Sequence, residues 1–211
     1  MQHIFIHTSK SIVDNFFQDP DKVRDIALSV KYESTTDYPG YRSRQIHEIN
    51  KDLWDYMSYR LMELPEAKVS GVNVMKMQFS YVPKIFGNGW VHSDSDATVA
   101  GAVYLTPDAP EDGGTGLYTR RADLVGGNHV TEDFDNAKKN KIMREFFLNP
   151  NEEGMKVNKS YNSNFSLTQR IDNVYNRLAM WNAKRFHAEQ NFFGTTLDNS
   201  RLVLLYFMEK A

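Results

Sequence analysis

The sequence predicts a mainly β protein with flanking helices, built on a double-stranded β-helix, or jelly roll. Three observations predict it. Short β-patterned runs recur at Val72–Val82, Ala97–Thr106, Thr115–Thr119, Val174–Trp181 and Arg201–Met208. Long polar stretches separate some of them. The last run is an apolar strand that closes the series, and many short strands with long insertions suit two packed antiparallel sheets. At 211 residues, 41% hydrophobic and 13% aromatic, the chain has the content of one domain with a substantial core.

The elements follow in order. Residues 2–7 are expected as a short edge strand. Asp19 is a good N-cap and Pro20 suits the first helical position. Val23, Ile26, Ala27 and Val30 then follow at the spacing of an amphipathic helix that covers a sheet face. Thr35–Ser43 reads as a loop around Tyr38-Pro39-Gly40. Arg42 and Arg44 leave that loop, either as ordinary solvated arginines or as part of a substrate-side loop. A second helix, Lys51–Leu64, carries Leu53, Trp54, Met57 and Leu61 on one side, with Pro65 just past its end.

In Val72–Val82, Met75, Met77, Phe79 and Tyr81 alternate with Lys76, Gln78 and Ser80, the pattern of a half-buried strand. Residues 120–165 are polar and read as an insertion with one helix, Phe134–Phe147. Long insertions cost little closure entropy and often serve as lids or substrate platforms. The expected layout is a single domain: a helical cover over 1–66, a core over 67–119 and 171–211, and an insertion over 120–170.

Composition excludes several functions. The net charge of −2 gives no global electrostatic case for nucleic acid or an anionic membrane. The absence of cysteine excludes disulfides, thiolate metal sites and cysteine nucleophiles. No run reaches the length of a membrane span. Ile4-Phe5-Ile6 is too short for a signal-peptide core. A cytoplasmic protein without nucleic-acid or membrane partners is expected.

Two stretches carry the chemistry. In Trp90-Val91-His92-Ser93-Asp94-Ser95-Asp96, His92 and Asp94 are two residues apart and in a strand share a face. Phe186-His187-Ala188-Glu189 supplies a second imidazole. Two histidines and one carboxylate on one side of a metal leave the other side open, the ligand set of non-haem Fe(II) oxygenases. Arg201 opens the final strand, placed to hold an acidic cosubstrate. Taken singly, each residue suits an ordinary structural role, and it is the ordered set that carries the signal. Asp96 is an alternative to Asp94 by strand parity. His3, His7, His47 and His129 are assigned no ligand role. Tyr118 and Trp181 read as core or pocket wall.

Laid out this way, the chain resembles the 2-oxoglutarate/Fe(II)-dependent oxygenases, and within them the prolyl-4-hydroxylase-like branch. The resemblance covers about residues 72–119 and 174–208. It rests on His92-x-Asp94, on Ala97–Leu105 followed by Glu111-Asp112-Gly113-Gly114-Thr115, on Leu178–Trp181 followed by His187, and on Arg201. Asp14-Asn15-Phe16, Asp19-Pro20, Val23-Arg24 and Tyr38-Pro39-Gly40 also look like a small group of such oxygenases, some carried by phages.

The resemblance implies His92, Asp94 and His187 as catalytic metal ligands for Fe(II), and 2-oxoglutarate as cosubstrate. Arg201 would hold its distal carboxylate, with the Tyr81 hydroxyl as second choice, Tyr81 reading equally as a core aromatic. It implies hydroxylation of a C–H bond on an amino-acid residue or small metabolite, with O2 consumed and succinate and CO2 released. The turn departs from the pattern at Gly116 and Tyr118, and residues 120–170 have no counterpart. The prolyl substrate is therefore not carried over. Two alternatives stand beside this one. A cupin-like metalloenzyme would gather further histidines, and a non-enzymatic jelly-roll binding module would hold no metal.

Overall fold

Asp19 caps the first helix as its sequence position requires: its carboxylate accepts from the Lys22 amide at 3.1 Å, and helix α1 (Pro20–Ser29) follows. In the computed structural model, residues 10–121 and 136–210 are described. The strand expected over 2–7 lies outside them. The first described strand is β1 (Lys10–Val13). After α1 come β2 (Glu33–Ser34), β3 (Tyr41–Gln45), α2 (Ile46–Ile49), α3 (Lys51–Met62) and α4 (Pro65–Ser70). Pro65 opens α4 rather than merely ending the helix before it, because a proline costs nothing at a first helical position.

The remaining elements are β4 (Val72–Val82), β5 (Val99–Tyr104), β6 (Thr115–Arg120), α5 (Asn136–Leu148), α6 (Glu152–Asn162), β7 (Phe165–Ile171), β8 (Leu178–Asn182), β9 (Phe186–Glu189) and β10 (Arg201–Lys210). Two antiparallel sheets form among the described residues. One runs β1-β8-β5-β10-β4-β3-β2 and the other β7-β6-β9. This is the jelly-roll architecture the strand pattern predicts.

The larger sheet has two different faces. On the outer one, Val23, Ala27, Ile46, Leu53, Met57 and Leu61 of the helices pack against Met77, Phe79, Val103, Leu178, Leu204 and Tyr206. On the inner one, Ala100, Ala102, Tyr104, Trp181, Val203 and Leu205 meet Leu117 and Ile171 of the smaller sheet. Period-two alternation along each strand separates the two sets.

Two glycines are required by close approach. Gly40 has φ +79°, and a Cβ there would lie 2.5 Å from the Tyr81 carbonyl oxygen. At Gly114 a Cβ would lie 1.9 Å from the Ile171 carbonyl oxygen, so the Gly-Gly turn lets β6 pass against β7.

The described part of the expected insertion, residues 136–165, departs from expectation. It holds a second helix, α6, whose Asn151 cap accepts from the Gly154 amide at 2.8 Å. Strand β7 then pairs with β6 along its length. Its interior residues, Ser166 to Arg170, are mostly exposed, and only Phe165 and Ile171 are buried. An edge strand with so little alternation carries no periodic signal in sequence.

Candidate metal centre

His92 and His187 are brought together by backbone pairing. Each donates its amide to the other's carbonyl, at 3.0 Å and 2.8 Å, so the segment leading to His92 lies beside β9. Asp94 is fixed by its amide, which donates to the Ala183 carbonyl at 2.9 Å. The ligand atoms of His92, Asp94 and His187 then lie within 4.8 Å of one another. Each imidazole Nε2 is 3.5 Å from a different oxygen of Asp94. No other such group of three is found among the described residues.

The ring orientations follow from the far nitrogens. His92 Nδ1 meets the Trp90 carbonyl at 2.7 Å, and His187 Nδ1 meets the Arg185 carbonyl at 2.8 Å. A carbonyl only accepts, so both Nδ1 atoms carry hydrogen and both Nε2 lone pairs point inward. Burial, joined by the charge of His92, holds the His187 pKa down to about 4. Burial opposes ionisation of Asp94. The His92 hydrogen bond and the charges of His187, His92 and Arg42 outweigh it and leave the Asp94 pKa below the usual carboxylate value. For His92, desolvation is outweighed by the hydrogen bond that its protonated form would donate to Asp94 and by the charges of Glu189 and Asp94, so its pKa is raised. Asp94 Oδ2 is buried with no hydrogen-bond partner. A neutral imidazole, an ionised carboxylate and an orphaned acceptor aimed at one point are what a divalent cation needs.

The triad opens onto a cavity of about 540 Å³. Arg201 lies in its wall and is 1% exposed. Its Nε donates to the Gly113 carbonyl at 3.2 Å and its Nη2 to the Thr115 hydroxyl at 3.3 Å. Both acceptors are neutral. Tyr104 is the aromatic beside it, with the guanidinium 5.5 Å from the ring centroid and the Tyr104 hydroxyl 2.9 Å from that of Thr115.

Tyr81 is placed elsewhere, which corrects the sequence expectation for the second cosubstrate contact. It pairs across the sheet with Leu202, whereas Arg201 pairs with Val82. Directly paired residues share a face, so Tyr81 lies on the helix-covered side, stacked 4.8 Å from Tyr41. Asp96 is exposed and accepts from the Ser95 hydroxyl, apart from the triad. His47 is an exposed edge contact of Trp54. His3, His7 and His129 lie outside the described residues. Trp181 lines the cavity with its ring 5.4 Å from His187, and Tyr118 accepts from the Gln190 amide at the cavity's rim sheet.

Sequence reasoning missed three contributors. Helix α6 clamps the segment before His92: Asn162 donates to the Gly89 carbonyl at 2.8 Å and accepts from the Val91 amide at 3.0 Å, and Asn158 reaches Gly89 at 3.3 Å. Helix α5 supplies Met143 and Phe147 to the cavity wall. Glu189, two residues beyond His187 and so on its face, lines the cavity as well. Burial disfavours its ionisation, but the charges of Arg201, His92 and Arg42 hold its pKa below the usual range. The i, i+2 spacing from His187 was the available signal for Glu189.

This architecture is shared with solved structures of 2-oxoglutarate enzymes. HygX from Streptomyces hygroscopicus, with nickel and 2-oxoglutarate bound, superposes with a TM-score of 0.58 at 11% identity, covering 97% of this chain and 84% of that one. A prolyl hydroxylase from Trichoplax adhaerens, in complex with a peptide fragment of the hypoxia inducible factor oxygen degradation domain, gives 0.53 at 14% identity over 95% and 84%. A Pseudomonas putida prolyl-4-hydroxylase gives 0.50 at 13% identity over 97% and 94%. The fold is thus the double-stranded β-helix of that class. No curated protein sequence matches the chain. By sequence it belongs to the family of unknown function DUF6445, whose model matches residues 2–190.

Proposed function

We propose that this protein is a 2-oxoglutarate-dependent Fe(II) oxygenase. One juxtaposition supports this most: the inward-facing histidines and Asp94 share a cavity with a buried arginine that has only neutral acceptors. A buried guanidinium whose hydrogen bonds all go to neutral acceptors is costly, and a dianionic cosubstrate that accepts from it directly relieves that cost.

In this reading His92, Asp94 and His187 hold Fe(II). Arg201 takes the distal carboxylate of 2-oxoglutarate through its planar fork, and Tyr104 and Thr115 set the guanidinium's position. The chemistry the bound group supplies is hydroxylation, in which R–H, 2-oxoglutarate and O2 become R–OH, succinate and CO2. The protein's own part is to orient and to exclude water. The Trp90 and Arg185 carbonyls fix the imidazole tautomers, and Trp181, Phe147 and Leu205 wall the site from solvent. Hygromycin B is bound in one HygX structure and a peptide in the Trichoplax enzyme. By that analogy the substrate here is a small molecule or a protein side chain.

The test is anaerobic titration of the metal-free protein with Fe(II) and 2-oxoglutarate, following the visible metal-to-ligand charge-transfer band. Wild type is expected to develop the band and His92→Ala to lack it. Arg201→Met is expected to bind the cosubstrate about 2–5 kcal/mol more weakly, roughly thirtyfold or more. Iron binding without a band would sink the assignment.

A further inference from the structure

We propose that Arg42, with Lys76 beside it, is the anchor for an anionic group on the substrate, so that the substrate is an organic anion carrying a carboxylate or phosphate remote from the oxidised carbon. The inference rests on the oxygenase function proposed above and names its substrate class.

The topology puts Arg42 on the site's side of the sheet. Arg42 pairs with Ser80, and Ser80 pairs with Val203. Directly paired residues share a face, so Arg42 emerges on the same side as Val203 and Arg201. Lys76 pairs with Phe207 and lies on that side too. Both cations line the cavity that holds the triad.

Neither is in contact with a carboxylate: Glu189, Asp94 and Asp37 act on Arg42, and Asp37 on Lys76, only through space. Arg42 Nε is buried without a hydrogen-bond partner. No carboxylate lies within 4.0 Å of the Arg42 guanidinium or the Lys76 amine among the described residues. Arg42 is instead held by stacking, with its guanidinium 3.3 Å from the centroid of the Tyr38 ring. Stacking occupies a face of the fork and leaves its N–H edge free for an acceptor. Burial lowers the pKa of Arg42, and burial together with the charge of Arg42 lowers that of Lys76. Two cations that face one cavity without a carboxylate in contact repel each other, and an anion between them turns that cost into attraction.

The cavity's carboxylates do not fill this role. Asp94 belongs to the metal ligands and Glu189 faces Arg201 first among its charged neighbours. Asp37 and Asp96 are exposed. Arg201 is accounted for by the cosubstrate. A second guanidinium is surplus to the cosubstrate's needs and is therefore assigned to the substrate. At about 540 Å³ the cavity has the size of an ordinary small-ligand site.

The experiment uses protein loaded with Ni(II) and saturating 2-oxoglutarate, so that Arg201 is occupied. Its thermal unfolding midpoint is titrated with hexanoate, inorganic phosphate and hexanamide, in wild type, Arg42→Met and Arg42→Lys. One of the two anions is expected to stabilise wild type saturably, and hexanamide is not. That anion should bind roughly ten- to hundredfold more weakly to Arg42→Met, with partial recovery in Arg42→Lys. The responding anion separates a carboxylate from a phosphate substrate. An equal response of wild type and Arg42→Met to every probe overturns the proposal. So does a charge-transfer titration in which Arg42→Met loses 2-oxoglutarate as severely as Arg201→Met, since Arg42 would then serve the cosubstrate. Absence of the band from wild type is a separate failure, of the oxygenase function itself.

Discussion

Strand β10 presents two unlike faces within one run of residues. Leu202, Leu204, Tyr206 and Met208 point outward into the helix-covered core and are fully buried. Arg201, Val203 and Leu205 point inward, toward the smaller sheet and the cavity, with Phe207 half-buried among them. The outer face is large and apolar throughout. The inner face is small or branched where the sheets touch and charged where the cavity opens. The same alternation recurs on β4, where Met77 and Phe79 face the helices and Lys76 faces the cavity. One sheet therefore divides stability and chemistry between its two sides, and residues on either side should fail in different ways.

The largest expected effect is on the inner side. Asp94→Ala should abolish Fe(II) binding, read by the loss of the charge-transfer band. The metal-free variant should nonetheless stay within about 1 kcal/mol of wild-type stability. Removing one member of a buried charge pair is damaging when it strands the other charge. Here His187, with its pKa pushed down to about 4, is neutral at pH 7, and His92, the partner whose pKa Asp94 raises, has a side chain 47% exposed to water, so neither is stranded. Asp94 Oδ2 also gives up no hydrogen bond. A steep fall in the unfolding midpoint of metal-free Asp94→Ala would show that the inner face is structural as well.

The outer face should behave in reverse. Leu204 is 0% exposed among helix and strand side chains. Leu204→Ala should cost about 2–5 kcal/mol in urea unfolding, from lost burial and the cavity left behind. The folded variant should keep the Fe(II)–2-oxoglutarate band at wild-type affinity. A weakened band would mean that the helix layer tensions the site through the sheet, and the division between faces would have to be abandoned.

This division also explains how much could be read from the sequence. The outer face was legible because Met77-x-Phe79 and the helical spacing of Val23, Ala27, Leu53, Met57 and Leu61 are local patterns. The order of His92, Asp94, His187 and Arg201 was legible because each sits at a strand end or turn marked by its neighbours. Tyr81 was misplaced because parity gives sides only relative to a partner. Whether Tyr81 shares a side with Arg201 depends on the β4–β10 register, and the register pairs it with Leu202. Tyr104, Glu189, Asn162 and the cavity position of Arg42 depend likewise on pairings between distant segments. Strand β7 was missed because its interior residues face solvent and carry no alternation.

The smallest expected effect lies at the sheet's rim, on neither face. Asp14 follows β1 and meets Arg177, which precedes β8, through Nε–Oδ1 at 2.6 Å and Nη2–Oδ2 at 3.0 Å. The pair fastens the edge strand to its neighbour by a fork. The Arg177 hydrogen bond holds the Asp14 pKa below its ordinary value of 3.8, against a small opposing effect of burial. A carboxyl depressed in the folded state contributes stability above its unfolded pKa and loses it as pH falls through the folded one. Asp14 is 52% exposed, so solvent screens the pair. Asp14→Asn should therefore cost only about 0.2–1 kcal/mol at pH 7. The difference from wild type should shrink as pH drops below 3.8 and vanish once the folded carboxyl is protonated. Urea unfolding of both proteins across that range checks the sign, and a difference that grows on acidification would contradict it. Because the pair touches neither the helix core nor the cavity, the Fe(II)–2-oxoglutarate band should be indifferent to it at pH 7. A shifted band would make the rim a third region coupled to the chemistry.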